Sequence, residues 1–379
     1  MTKAKYILIC ILTVGYVIGC SEVEFAPTPP DVTCQLLQEE DPDLECDSSA
    51  GTLSLTDEIT LGKVDILFVN DNSGSMSTEQ RKIANRFNMF IERLDDQNVD
   101  YQIAITTTDV SGVTGGTSSV SQSDLKNGNF IIFGNGQTVL TNQTIDRVQL
   151  FKDAIQREET EVCEDSNFTN CPSGDERAIY AANLVLDRAD PSFFRKDAHF
   201  AVVILSDEDE RSAGGRGTNS PQLENLDLPE TLLSKVRNQL GDSKAVSVHP
   251  IIVRPGDSGC LSQQSSQGNQ FIFGYEGKVY ARFVNDSAIT NDRTLIPGVL
   301  GNICASDYAN QLRDIAGVIS EVPVQLECTP VSDPQVEAVA GIPAGTQIYF
   351  DSGSGRIHFS PAVPSGGRIR VKYECPDRI

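Results

Sequence analysis

Residues 64–76 read Val-Asp-Ile-Leu-Phe-Val-Asn-Asp-Asn-Ser-Gly-Ser-Met, an apolar run that stops at an aspartate and is followed by hydroxyls at every second position. The apolar run predicts a buried strand over residues 63–70. Beyond it Ile83, Phe87, Phe90, Ile91 and Leu94 recur at helical spacing and predict an amphipathic helix over 77–94. Asp71 therefore falls at the carboxyl end of a strand, where open α/β sheets place their ligands. Alternate residues of a turn can face the same way, so Asp71, Ser73 and Ser75 can converge their oxygens on one point. One carboxylate and two hydroxyls are hard donors that suit Mg²⁺, with Mn²⁺ and Ca²⁺ as alternatives. So few charges would leave such an ion electrophilic and open to a further anion.

A second aspartate ends another apolar strand, Ala201-Val-Val-Ile-Leu-Ser-Asp207. Around these two strands the patterns alternate. Strands are expected at 101–107, 199–206 and 246–253, and helices at 144–157, 175–188, 229–240 and 307–320. Residues 130–133 and 138–140, flanking Gly134-Asn-Gly136, suggest a hairpin. This alternation predicts an α/β fold with a doubly wound, mainly parallel sheet over 59–320. From 321 to 379 the character changes. Arg368-Ile-Arg-Val-Lys-Tyr373 alternates strictly, and with 347–350 and 356–359 it predicts a small C-terminal all-β domain, a β-sandwich.

The two aspartate-ended strands make the chain resemble the von Willebrand factor A family. DNSGSM fits that family's DxSxS metal-ion-dependent adhesion signature, and VVILSD fits the strand that delivers its distal aspartate. The resemblance implies that Ser73 and Ser75 bind the ion directly and that Asp71 and Asp207 act through water. It also implies a threonine from the loop before a middle helix. That loop reads CEDSNFTNCPSGDERAIYAANLVL over 163–186, so Ser173, or else Thr169, is expected to supply the hydroxyl. The partner implied is a protein that offers an Asp or Glu carboxylate to the metal, with no catalytic residue involved.

Residues 1–20, MTKAKYILICILTVGYVIGC, have two lysines, a short apolar run and a terminal cysteine, as a secretory signal does. Val17-Ile-Gly-Cys20 resembles the bacterial lipobox, so 1–19 is expected to be a lipoprotein signal peptide and Cys20 the lipidated residue. Ser21 after it implies the outer membrane, on the periplasmic or cell-surface face. Residues 20–58, rich in acids and proline, predict a tether. With 53 acidic and 30 basic residues the net charge is −23. Such a surface repels nucleic acid and suits cations or basic partners.

Eight cysteines remain besides Cys10 and Cys20, an even count that suggests disulfides in an oxidising compartment. Proximity suggests Cys34 with Cys46 and Cys163 with Cys171, while Cys260 with Cys304 and Cys328 with Cys375 would bracket coherent segments. Asp351-Ser-Gly-Ser-Gly355 mimics the metal motif but has glycines where hydroxyls are needed, and reads as a hairpin turn. Glu208-Asp-Glu210 reads as a solvated acidic loop, and Asp109 as a turn cap. Two other readings stand beside adhesion or envelope complex assembly: a metal-free structural scaffold, and a metal-assisted hydrolase using Ser73 or the ion. Histidines occur only at 199, 249 and 358, and no GxSxG elbow is present.

Overall fold

The computed structural model describes residues 34, 38, 44–49, 52–110, 125–166, 171–211, 222–265, 274–321 and 323–376. Strands β1 (Glu45–Ser49), β2 (Thr52–Thr60) and β3 (Lys63–Asn70) lead through a 3-10 turn, Gly74–Met76, into helix α1 (Ser77–Asp96). Next come β4 (Asp100–Thr107), β5 (Leu140–Thr141), α2 (Arg147–Ile155), α3 (Glu158–Asp165), α4 (Ala178–Arg188) and β6 (Ala198–Leu205). They are followed by α5 (Pro229–Leu240), β7 (Val246–Ile252), α6 (Ser258–Ser265), α7 (Lys278–Asn285), α8 (Ser287–Thr290), β8 (Leu295–Ile296), β9 (Gly301–Asn302) and α9 (Ala309–Ser320). The chain then adds β10 (Val324–Gln325), β11 (Gln335–Ala340), β12 (Gln347–Asp351), β13 (Arg356–Ser360) and β14 (Arg368–Pro376).

The central sheet runs β5-β4-β3-β6-β7-β8, with β9 also beside β7, and every pair in it is parallel except β4 with β5. Because side chains alternate along a strand, β3 feeds two cores. Val64, Ile66 and Phe68 pack with the apolar stripes of α1, α2 and α9, where Phe68 meets Phe151 edge-on at 4.8 Å. Leu67 and Val69 pack on the other face with α4, α5 and α7. Helices thus cover both faces, which is why these strands read as continuous apolar runs. The fold is α/β, with a doubly wound, mainly parallel sheet.

Two small antiparallel sheets, β1-β2-β14-β11 and β10-β13-β12, share one apolar core. Ile369, Val371 and Tyr373 of β14 point inward, as their alternation predicts. The expected tether over 20–58 needs correction. β2 alternates inward at Leu53, Leu55, Asp57 and Ile59, and all nine of its residues pair with β14, from Thr52 opposite Pro376 to Thr60 opposite Arg368. The all-β domain is therefore built from both sides of the α/β region rather than from its C-terminal side alone. Leu53, Leu55 and Ile59 carried the signal at period two, obscured by Asp57 on the same inward face. The signal peptide and Cys20 lie outside the described residues.

The hairpin expected around Gly134 is also corrected. Residues 130–133 form no strand, although Gly136 N–H donates to Phe133 O at 2.8 Å in a tight turn, and the short β5 pairs with β4 instead. Helices α3, α6, α7 and α8 were not expected; they are four to eight residues long, too short to print a periodic stripe. All four expected cysteine pairs form: 34–46 and 163–171, which proximity suggests, and 260–304 and 328–375, which bracket coherent segments. Asp351 to Gly355 is the turn between antiparallel β12 and β13, as expected. No helix among the described residues is long and apolar enough to cross a membrane.

Candidate metal centre

Parallel register aligns the ends of the two central strands. Asn70 of β3 sits opposite Leu205 of β6, and Asp71 N–H donates to Leu205 O at 2.9 Å, so the residues that follow each strand meet above the sheet. There the hydroxyls of Ser73 and Ser75 lie 3.0 Å apart, and Ser75 Oγ donates to Asp207 Oδ1 at 3.1 Å. Ser73 N–H donates to Asp71 Oδ1 at 2.8 Å, and Ser206 Oγ donates to Asp71 Oδ2 at 2.7 Å. Asp71, Ser73, Ser75 and Asp207, 136 residues apart in sequence at the extremes, thus form one hydrogen-bonded chain.

Asp71 and Asp207 are both fully buried, at 0 % exposure. Burial raises both carboxyls above their ordinary values, and for Asp207 the negative charges of Asp71 and Glu79 raise it further. Asp207 Oδ2 has no hydrogen-bond partner. Among the described residues no lysine or arginine forms an ion pair with Asp71, Asp207 or Glu176.

Ser173 is buried on the loop before α4, and its Oγ accepts from Asp175 N–H at 3.1 Å. Thr169, the other expected hydroxyl, lies outside the described residues. The Cys163–Cys171 disulfide ties this loop to α3. Helix α3 in turn grips the strand end: Thr160 Oγ1 donates to Asn72 O at 2.8 Å, and Asn72 Nδ2 donates to Glu159 Oε1 at 3.2 Å. From α1, Gln80 Nε2 donates to Asp71 O at 2.8 Å. These contacts hold the backbone of Asp71 and Asn72 from two sides.

Three neighbours escaped the sequence reading. Ser206 sits immediately before Asp207 in the stretch VVILSD. Glu79, fully buried in the first turn of α1, accepts from Lys82 at 3.3 Å and Gln264 at 3.1 Å through one oxygen, while its other oxygen has no partner. Glu176 is the third; its carboxyl touches that of Asp71.

The acidic loop 208–210 is corrected too, being buried or half-buried rather than solvated. Glu210 accepts from Ile179 N–H at 2.9 Å and Tyr180 N–H at 3.0 Å, at the start of α4, and Asp209 accepts from Val279 N–H at 2.9 Å, at the start of α7. Carboxylates satisfy the orphan donors of a helix N-terminus and complement its dipole. Asp109 accepts from Thr107 Oγ1 and, at 3.4 Å, from Lys126 N–H.

The donors fit a hard dication. Two hydroxyls and two buried carboxylates adjoin, one carboxylate oxygen lacks a hydrogen bond, and among the described residues no basic side chain pairs with either carboxylate. Among the described residues no three His, Cys, Asp or Glu side chains are grouped to hold an ion by themselves. An ion here would depend on serine oxygens.

The histidines offer Ser73 no base. His249 lies in β7, where its Nδ1 accepts from Val299 N–H at 3.1 Å. The ring proton is therefore on Nε2, which donates to Ser247 Oγ at 2.7 Å, the reverse of the arrangement that activates a serine. Burial pushes this imidazole down to about 3.

No family model and no curated protein matches the chain. Several solved structures resemble it at low identity. The pilus adhesin SpaC from Lactobacillus rhamnosus GG is 10% identical, over 87% of this chain and 42% of that one, with a TM-score of 0.33. BatB from Bacteroides thetaiotaomicron is 12% identical over 68% and 97%, with a TM-score of 0.33. The TRAP protein of Plasmodium vivax, solved manganese-loaded, is 12% identical over 86% and 98%, with a TM-score of 0.29. The chain spans about two fifths of the adhesin's length. Likenesses this faint carry no argument, and the fold assignment rests on the chain's own strand order.

Proposed function

We propose that this chain is a lipid-anchored envelope protein of the von Willebrand factor A type, which captures an acidic side chain of a protein partner through a divalent cation. Asp71, Ser73, Ser75, Ser173 and Asp207 would hold the ion, Mg²⁺ or Mn²⁺, with Ca²⁺ as the alternative. The bound cation would supply a positive charge that an external carboxylate can complete. The chain's own residues do the rest. Ser73 N–H and Ser206 orient Asp71, the Ser73 and Ser75 hydroxyls present adjacent lone pairs, and α1 and α3 keep the loop from collapsing.

The observation that carries this reading is the unpartnered, fully buried Oδ2 of Asp207 beside the Ser73–Ser75 pair. A buried anion without a cation or a donor is strongly disfavoured. A metal-free scaffold would have no need of it, and a hydrolase would need a base that His249 cannot be. Anchoring rests on the lipobox-like Val17 to Cys20.

Calorimetric titration of the soluble domain with Mg²⁺ and Mn²⁺ tests the site. Wild type should bind one ion and Asp71→Asn should not; equal affinity in the two proteins would overturn the reading. Asparagine is preferred to alanine because Ser73 N–H and Ser206 Oγ would otherwise lose their acceptor. For the anchor, Cys20→Ala should abolish palmitate labelling.

A further inference from the structure

Glu176 lies two residues before the first residue of α4 and is fully buried. One of its oxygens accepts from Thr108 Oγ1, at the end of β4; the other, Oε1, receives no hydrogen bond. Its carboxyl lies within hydrogen-bond reach of Asp71's, and Asp71 and Glu208 both act on it electrostatically. The backbone around it is fixed as well: Glu176 bridges to Asp109, and its carbonyl accepts from Arg211 N–H at 2.5 Å. Among the described residues no basic side chain pairs with this buried glutamate, so apart from the bond from Thr108 its burial beside another carboxylate costs desolvation and repulsion.

We propose that Glu176 is a positioning residue of the cation site, acting through Asp71. This rests on the dication reading given above. The absence of a three-carboxylate cluster among the described residues argues against Glu176 as a direct ligand alongside Asp71 and Asp207. Its carboxyl instead sits against that of Asp71 and limits where that carboxylate can move, beside the hydrogen bonds from Ser73 N–H and Ser206 Oγ. It also joins three elements at one point: the end of β3 through Asp71, the end of β4 through Thr108, and the loop that carries Ser173 three residues earlier. Groups that orient a metal ligand without touching the metal commonly change affinity about 10- to 100-fold when lost.

The experiment is titration of the soluble domain with Mg²⁺ and with Mn²⁺ alone, in wild type, Glu176→Ala and Glu176→Gln, beside the melting temperature of each ion-free protein. Glu176→Ala should bind both ions about 10- to 100-fold more weakly while its ion-free melting temperature holds or rises. Glu176→Gln, which fills the same space and keeps a polar contact to Asp71, should restore affinity to within about threefold, well inside that 10- to 100-fold range. A purely structural role would lower the melting temperature of the alanine variant and leave the affinity of its folded fraction unchanged. Wild-type affinity in Glu176→Ala, or glutamine binding as weakly as alanine, would overturn the positioning role while leaving the cation site standing. Wild type that binds neither ion would overturn both.

Discussion

Asp65 and Asp71 stand six residues apart at opposite ends of β3, both with no exposure to solvent, and their surroundings are opposite. At Asp65 the Arg195 side chain donates from Nε at 2.8 Å and the Arg195 backbone at 2.9 Å, with Lys244 Nζ at 3.6 Å. Burial raises this carboxyl, and Lys244 and Arg195 oppose that rise. At Asp71 burial acts against hydrogen bonds alone, and the nearest charges are other acids. One aspartate is complete within the fold. The other has no basic partner among the described residues, and on the proposed reading a cation from outside would supply the missing charge.

Breaking the complete end should have the largest effect. Arg195 also donates to Val64 O, Asp100 O and Asp100 Oδ1, so Arg195→Ala leaves Asp65 with only the residue-195 backbone N–H and Lys244 and frees three further acceptors. We expect a loss of about 3–5 kcal/mol, measured as a lower urea midpoint at unchanged slope. A loss below about 1 kcal/mol, the range of exposed pairs, would show that Lys244 alone balances the aspartate.

Filling the incomplete end should come next. Mg²⁺ at a hundredfold excess over its dissociation constant should stabilise wild type by about 2.7 kcal/mol and leave Asp71→Asn unmoved. Both proteins responding alike in a thermal melt would assign the ion to some other place.

Acidity should act on the same end. Asp71, Asp207 and Glu176 hold protons more tightly folded than unfolded. Between the ordinary carboxylate value of about 4 and their raised folded values, the native state carries more protons than the unfolded chain. Its stability therefore falls as pH rises through that window. Asp109 and Asp209, each pushed up to about 6 by burial, add to the trend. The ion-free protein should melt higher at pH 5 than at pH 7, and Mg²⁺ should narrow the gap by raising the pH 7 value, since ions and protons compete for these oxygens. A melting temperature that falls on acidification would contradict the account.

The smallest effect belongs to a pair that burial does not touch. Glu58 on β2 meets Arg368 at 2.7 Å and Arg370 at 3.2 Å on β14, with all three side chains a third or more exposed. Glu58→Ala should cost about 0.2–1 kcal/mol, lost in high salt, and marks the baseline against which both ends of β3 are judged.

The residues alone determined what short-range pattern can carry. The apolar run before Asp71, the helical stripe from Ile83 to Leu94 and the second run ending at Asp207 each encode an element, and parallel pairing of such runs brings their ends together. Cysteine proximity likewise sufficed for Cys34 with Cys46 and Cys163 with Cys171. What the tertiary structure decided are contacts with no local signature. Asp57 concealed the alternation of β2, whose partner β14 lies some three hundred residues away. Glu210 and Asp209 look like solvated charges until α4 and α7 bring their N-termini over them. Glu176 looks like one more loop acid until the fold lays it against Asp71. Periodicity reports which face of an element is buried, but a polar group's role depends on what it meets there, and that is set only when distant segments pack.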